Sequence, residues 1–259
     1  MRAPYRVAVI TGASSGLGAR LARAYAGPQT VLGLVARSAE RLAATAAACR
    51  AAGASVDFAA LDVADAAALA AWLAQFDRDL PVELVIANAG TSAGPDPDSP
   101  GEPPAVTLRQ IEVNLAGAVH TIAPLVPMLC ARGRGRIVAI ASVAAYRGLP
   151  YSPGYCASKA GLRAYAEALR PRLMPYGVGV TVVCPGFFTS AMTDRWDGPT
   201  PFMASGEQAA RRIKRGIDRG RPRIDFPWPL VFGMRFCDLA PAMIGDRIMR
   251  GFRFHIRTA

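Results

Sequence analysis

Lysine and asparagine are nearly absent from this chain. Of thirty basic residues only Lys159 and Lys214 are lysines, and Asn88 and Asn114 are its two asparagines. A protein that writes almost every positive charge as a guanidinium has kept a compact ammonium at Lys159, where the two ions differ in shape and hydrogen bonding. Cysteine is also sparse. Cys49, Cys130, Cys156, Cys184 and Cys237 are odd in number and show no C-x-x-C or metal-ligand spacing, which excludes a disulfide framework and a metal site and points to free thiols in a reducing cytoplasm. Charged residues make up 19% and hydrophobic ones 52%, which excludes a disordered chain and suits a large buried core. No composition break, linker or repeat separates two cores, so one domain is expected. The N-terminus has no basic, apolar and small-residue succession of a secretory signal. Residues 173–193 carry no charge, but Pro175, Gly177, Gly179, Pro185 and Gly186 divide them into a turn, a strand and a loop rather than a membrane span.

Residues 142–159, SVAAYRGLPYSPGYCASK, carry the chemistry. A helix from Tyr155 onward puts Tyr155 and Lys159 one turn apart on one face, so the ammonium lies beside the phenol and is expected to lower its pKa toward the useful range. Ser142, arriving at the end of the apolar run 137–141, is placed to hydrogen-bond the oxygen that gains or loses the proton. Together they form a proton-transfer site for a carbonyl or an alcohol. Cys156 and His120 are read as packed residues without a role.

The rest of the chain alternates strands and helices. Residues 6–10 read as a buried strand, followed by the turn Thr11-Gly12-Ala13-Ser14-Ser15-Gly16-Leu17-Gly18 and a helix. Glycines there let the backbone approach a pyrophosphate, and the helix N-terminus offers free N–H groups. A second strand over 30–36 ends at Arg37, where dinucleotide-binding folds meet the adenosine ribose. An arginine there favours the 2′-phosphate of NADP over the 2′-hydroxyl of NAD. Further strands are expected at 56–61, 83–87, 135–142, 178–184 and 223–226, and helices at 39–52, 66–76, 108–131, from 155, and at 207–219, with a kink at Pro171. This is an α/β, Rossmann-like, doubly wound parallel sheet of about seven strands, covered on both faces. Residues 91–104 read as a loop near the site, and residues 187–205 as a lid. Val143, Leu149, Phe187, Phe188, Met192 and Trp196 suggest an apolar pocket.

These motifs resemble the short-chain dehydrogenase/reductase family, in its single-domain form of about 250 residues. The resemblance covers residues 5–226 and rests on Thr11-Gly12 through Gly18, Asp62, Asn88-Ala89-Gly90, Asn114, Ser142, Tyr155, Lys159 and Pro185-Gly186 with Thr189. It implies a catalytic set of Asn114, Ser142, Tyr155 and Lys159, in which Lys159 also holds the nicotinamide ribose and Asn114 positions a water. It further implies a cofactor site made of Gly12, Ser14, Ser15, Gly16, Leu17, Gly18, Arg37, Asp62, Val63, Asn88, Ala89, Gly90, Tyr155, Lys159, Pro185, Gly186 and Thr189. The expected activity is hydride transfer between NADP(H), with NAD the lesser alternative, and an apolar carbonyl or alcohol. Epimerase or dehydratase chemistry, or NADP binding without turnover, are the rivals.

Residues 1–227 are read as the catalytic domain and 228–259 as its amphipathic C-terminal extension. The extension carries five arginines against two aspartates, and Ile244, Ile248 and Phe252 recur every four residues. Such a stretch can pack on its own domain, cover a subunit, or make a peripheral contact with an anionic membrane. A homodimer through the Asn114 and Tyr155 helices, or a homotetramer, follows from the resemblance. The net charge of +11 is spread along the chain without a nucleic-acid motif, so no nucleic-acid partner is expected.

Overall fold

A computed structural model describes residues 5–95 and 99–257. The strands are β1 (Val7–Thr11), β2 (Val31–Ala36), β3 (Ser55–Ala60), β4 (Leu84–Ala87), β5 (Gly135–Ile140), β6 (Val178–Pro185), β7 (Trp196–Asp197), β8 (Arg223–Phe226) and β9 (His255–Ile256). Seven of them form one parallel sheet in the order β3-β2-β1-β4-β5-β6-β8. The order reverses between β1 and β4, and a crevice opens there at the carboxyl ends of the strands. Successive residues alternate between two cores. Val9, Val35, Val85, Ile137 and Val182 face one, and Ile10, Leu34, Ile86, Val138 and Val183 the other, as the two-residue period of a strand requires.

Helices α1 (Gly16–Tyr25) and α2 (Ala39–Ala51) cover one face together with α8 (Gly206–Asp218). The other face is covered by α3 (Ala66–Asp79), by a helical run through α4 (Pro104–Ile111), α5 (Gly117–Ile122) and α6 (Val126–Ala131), and by α7 (Pro153–Leu173). The run starts before the expected residue 108 and is not uniform. A π-turn, Glu112–Ala116, joins α4 to α5, and a short 3-10 turn, Ala123–Leu125, absorbs Pro124. By length and hydropathy Pro104–Ala131 could cross a membrane, but it packs against α3 and α7 and buries Gln110 and Asn114. Helix α7 continues through Pro171 to Leu173. Residues 96–98 of the 91–104 loop lie outside the described residues, as do 258–259 of the extension.

The extension forms α9 (Trp228–Leu239) and α10 (Ala242–Arg250), with α9 packed on β8 and on the turn Val143–Ala145. The recurrence of Ile244 and Ile248 is not the packed face of α10. Ile244 and Ile248 are half exposed, at 50% and 46%, and α10 turns Gly245 and Met249 inward instead. The reason is close approach: a Cβ on Gly245 would lie 2.5 Å from the Cys237 carbonyl oxygen, so the glycine face meets α9. The short strand β9 pairs antiparallel with β7.

Asp77 locks the start of β4. It is 6% exposed, accepts the Val82 N–H at 2.9 Å and takes two hydrogen bonds from Arg132 at 2.8 Å. Asp77→Ala strands a partly buried guanidinium and a backbone donor, and is expected to cost about 3 kcal/mol of stability, read from the midpoint of urea unfolding.

Candidate active site

The crevice at the switch point is a cavity of about 310 Å³ running from Arg37 and Arg41 past the β1 turn to Trp196. Its phosphate end is built from β1 and the N-terminus of α1. Gly12 has φ of +67°, and a Cβ there would sit 2.7 Å from Ala89 Cα. A Cβ on Gly18 would lie 2.2 Å from the Gly12 carbonyl oxygen, so helix and turn touch through glycine. Asn88 locks this turn to β4, its Nδ2 donating to the Thr11 carbonyl at 2.9 Å. Ser15 caps α1 without a side-chain hydrogen bond, which leaves the first N–H groups for a ligand. A Cβ on Gly16 would meet only Ser190, at 3.9 Å. An open cradle in front of free N–H groups fits a dinucleotide pyrophosphate.

Arg37 is exposed and lines the cavity with Arg41. Arg41 follows one helical turn later, a repeat visible in the sequence and missed there. Asp62 lines the same end. Burial alone would raise its pKa, but the Ala64 N–H, Arg109 and Arg37 together hold it below the usual carboxylate value. Its partner Arg109, at 2.6 Å, was not anticipated, because the two are joined only by the fold. Val63 lines the cavity and its carbonyl oxygen lies 2.9 Å from His120 Nδ1, so His120 does have a partner.

At the other end, Ser142 from the end of β5 and Tyr155 and Lys159 from α7 line the cavity together. Ser142 Oγ accepts the Ala144 N–H at 3.1 Å. The following turn is anchored by Tyr146, whose hydroxyl donates to Asp225 at 2.8 Å. Lys159 is 4% exposed and its Nζ donates to the Ile140 carbonyl at 2.9 Å. Nζ stands 5.8 Å from the centre of the Tyr155 ring. The expected acidification of the phenol is absent in this state. Desolvation pushes Tyr155 up to about 12 against a hydrogen bond with Ser142 that pulls it down, and desolvation pulls Lys159 down to about 8. Burial dominates both shifts, and Lys159 gives its hydrogen bond to the end of β5 rather than to the phenol.

Asn114, in the π-turn, lies behind the cavity wall with no exposure. It accepts the Thr91 N–H at 2.7 Å and donates to the Thr91 carbonyl and to Ser158 Oγ, both at 2.9 Å. A Cβ on Gly90 would come within 3.1 Å of Asn114 Oδ1 and 3.4 Å of Lys159 Nζ, so glycine lets these polar groups sit close to the chain.

Ser14, Leu17, Ala89, Pro185 and Gly186 line the cavity, and so do Val143, Leu149, Phe187, Phe188, Met192 and Trp196. Thr189 does not. Its hydroxyl accepts the Gly206 N–H at 2.9 Å, at the start of α8, and Ser190 and Thr193 take the lining positions instead. The lid is held from the far end of the chain. Trp196 stacks on Phe254 with ring centres 3.8 Å apart, and the Arg257 N–H donates to the Arg195 carbonyl at 2.9 Å.

Residues 6–199 match the short chain dehydrogenase family. The chain belongs to that family. An uncharacterized oxidoreductase of Myxococcus xanthus is 34% identical over 96% of this chain and 98% of its own. A putative ketoacyl reductase of the granaticin polyketide synthase of Streptomyces violaceoruber is 35% identical over 83% and 80%. A short chain dehydrogenase of Mycobacterium paratuberculosis bound to NAD has the same fold, with a TM-score of 0.76 at 23% identity over 88% of this chain and 98% of that one. As a short chain dehydrogenase, this protein is an NAD(P)-dependent oxidoreductase.

The lysine pKa sets a pH dependence. An unfolded lysine titrates near 10.5 and Lys159 near 8, so between those values the unfolded chain holds a proton that the folded chain has released. Stability therefore rises with pH across that window. Tyr155, raised above its ordinary 10.0, opposes this only above pH 10. Wild type without cofactor is expected to gain stability over Lys159→Met from pH 8 to 10, measured by urea unfolding; parallel curves contradict the burial of an ionisable amine.

Proposed function

We propose that this protein is an NADP(H)-dependent reductase of apolar carbonyl compounds, with Tyr155 as proton donor. The observation that carries the reading is the convergence of Ser142, Tyr155 and Lys159 on one cavity whose far wall is aromatic and aliphatic. A bound nicotinamide supplies the hydride. The protein's share is the proton and the geometry. Tyr155 gives its phenolic proton to the carbonyl oxygen as the carbon takes the hydride, and Ser142 hydrogen-bonds the same oxygen. A phenol raised above its ordinary value by burial is protonated at neutral pH, the form needed to donate a proton to a carbonyl oxygen. Lys159, positively charged below about 8, stabilises the phenolate left behind. Asn114 holds the β4 loop against α7 and so fixes Lys159 relative to the substrate. Tyr155→Phe is expected to lower turnover of aromatic and long-chain ketones by about 10³ or more with NADPH affinity unchanged, measured by absorbance assay and cofactor titration.

The preference for NADP rests on Arg37 and Arg41, whose side chains make no hydrogen bond or ion pair among the described residues and face the adenosine end of the cavity. A charge-assisted pair to the 2′-phosphate contributes about 1.5–3 kcal/mol, roughly ten- to a hundredfold. NADPH is expected to bind more tightly than NADH, and Arg37→Asp to remove or reverse the preference; an unchanged ratio of dissociation constants assigns it elsewhere.

The assembly we infer is a dimer through the outer faces of α4 and α7, or a tetramer of such pairs. Leu108, 63% exposed on α4, and the small exposed residues Ala157, Ala164 and Ala168 on α7 support close helix packing there. The free thiols of all five cysteines suit a cytoplasmic setting.

A further inference from the structure

Helix α9 is apolar on two opposite sides. Val231, Met234 and Cys237 pack inward, whereas Trp228, Phe232, Phe236 and Leu239 point outward with exposures of 75%, 67%, 53% and 84%. At 3.6 residues per turn the outward four fall within about 80° of arc, a stripe rather than scattered side chains. Met243, 86% exposed, continues it on α10. Arg247 and Arg250 follow Met243 by one and two turns on the same face, and their side chains make no hydrogen bond or ion pair among the described residues. A surface helix that is apolar on two opposite sides needs a cover on its second side.

We propose that the outer face of α9 and α10 docks on an anionic lipid bilayer, with the aromatic stripe in the acyl boundary and Arg247 and Arg250 among the headgroup phosphates. Length excludes crossing, since twelve residues of α9 extend about 18 Å against a hydrocarbon layer of about 30 Å. Charge separates the bilayer from a second copy. An isologous contact lays a face on itself, and this one carries unpaired arginines. The carboxylate of Asp246 is already held by Arg147, and Asp238 stands more than about 100° round the helix from Phe232 and Phe236. An anionic surface supplies the missing counter-charge while accepting the apolar stripe. The opposite, inward side of α9 adjoins the cavity: a Cβ on Gly186, in the cavity wall, would lie 2.8 Å from Pro227 and 3.0 Å from Leu230. The proposal does not depend on the catalytic reading.

The test is flotation of the full chain with vesicles of phosphatidylcholine, with and without phosphatidylglycerol, at low and high salt, beside sedimentation without lipid. Binding to the anionic vesicles is expected, weakened by salt, with a blue shift of Trp228 fluorescence that Trp228→Phe removes. The double variant Phe232→Ser/Leu239→Ser should stay in the lipid-free fraction. Arg247→Gln/Arg250→Gln should weaken partition roughly thirtyfold, at about 1 kcal/mol per arginine. All four positions are exposed, and unchanged circular dichroism and NADPH titration confirm that the variants fold. Failure to float with anionic vesicles at low salt overturns the proposal, as does flotation unaltered by either double variant. A dimer that Phe232→Ser/Leu239→Ser dissociates assigns the face to a second copy and overturns it equally.

Discussion

The structure turns on one fully buried amide. Asn114 binds both the N–H and the carbonyl of Thr91 and reaches Ser158 on α7, so a single side chain joins the loop after β4, the helical run beneath the sheet and the helix that bears Tyr155 and Lys159. An amide has the donor and acceptor needed to clamp a peptide in this way, and neither leucine nor aspartate of similar size can do both. Its position within a π-turn is consistent with that demand. Widening the helix by one residue at Glu112–Ala116 turns Asn114 toward the strand ends, the kind of irregularity that recurs at functional sites.

Around that clamp the electrostatics are set by burial more than by pairing. Lys159 and Tyr155 are each pushed toward their neutral form by desolvation, and among the described residues the ammonium donates to a strand-end carbonyl. The two shifts run in opposite senses on the pH scale, Tyr155 upward and Lys159 downward. At the adenosine end the logic is reversed. Arg37 stays exposed and lowers the Asp62 pKa through space, and Asp62 is fixed by Arg109 and the start of the next turn.

Much of this was legible in the residues. The apolar runs that became β1, β2, β4, β5 and β6 end at Thr11, Arg37, Asn88, Ser142 and Pro185, and a parallel sheet gathers those ends in one crevice whatever the details between them. The scarcity of lysine and asparagine marked Lys159 and Asn114 before any fold was known. What escaped was set by contacts between distant segments. Arg109 meets Asp62 only once β3 and α4 are adjacent, and the sign of the Tyr155 shift depends on how dry the cavity is, which no spacing encodes. Thr189 follows Pro185-Gly186 closely enough to suggest the cavity, yet the start of α8 offers its hydroxyl a backbone N–H and takes it. On the extension the sequence left the alternatives open for a geometric reason: the four-residue recurrence of Ile244 and Ile248 is a genuine helical stripe, but Gly245 permits the closer approach and so decides which side faces in.

The small ribbon of β7 and β9 ties the aromatic wall of the cavity to a part of the chain that the seven-stranded sheet does not use. Trp196 stacks on Phe254 and the Arg257 N–H donates to the Arg195 carbonyl, whereas the turn after β1 is held by Asn88 at the end of β4. The two ends of the cavity thus hang on separate sets of contacts. Proteolytic clipping, or a fusion that disturbs the ribbon, would therefore loosen the aromatic wall while leaving the β1 turn and the strand ends around it standing.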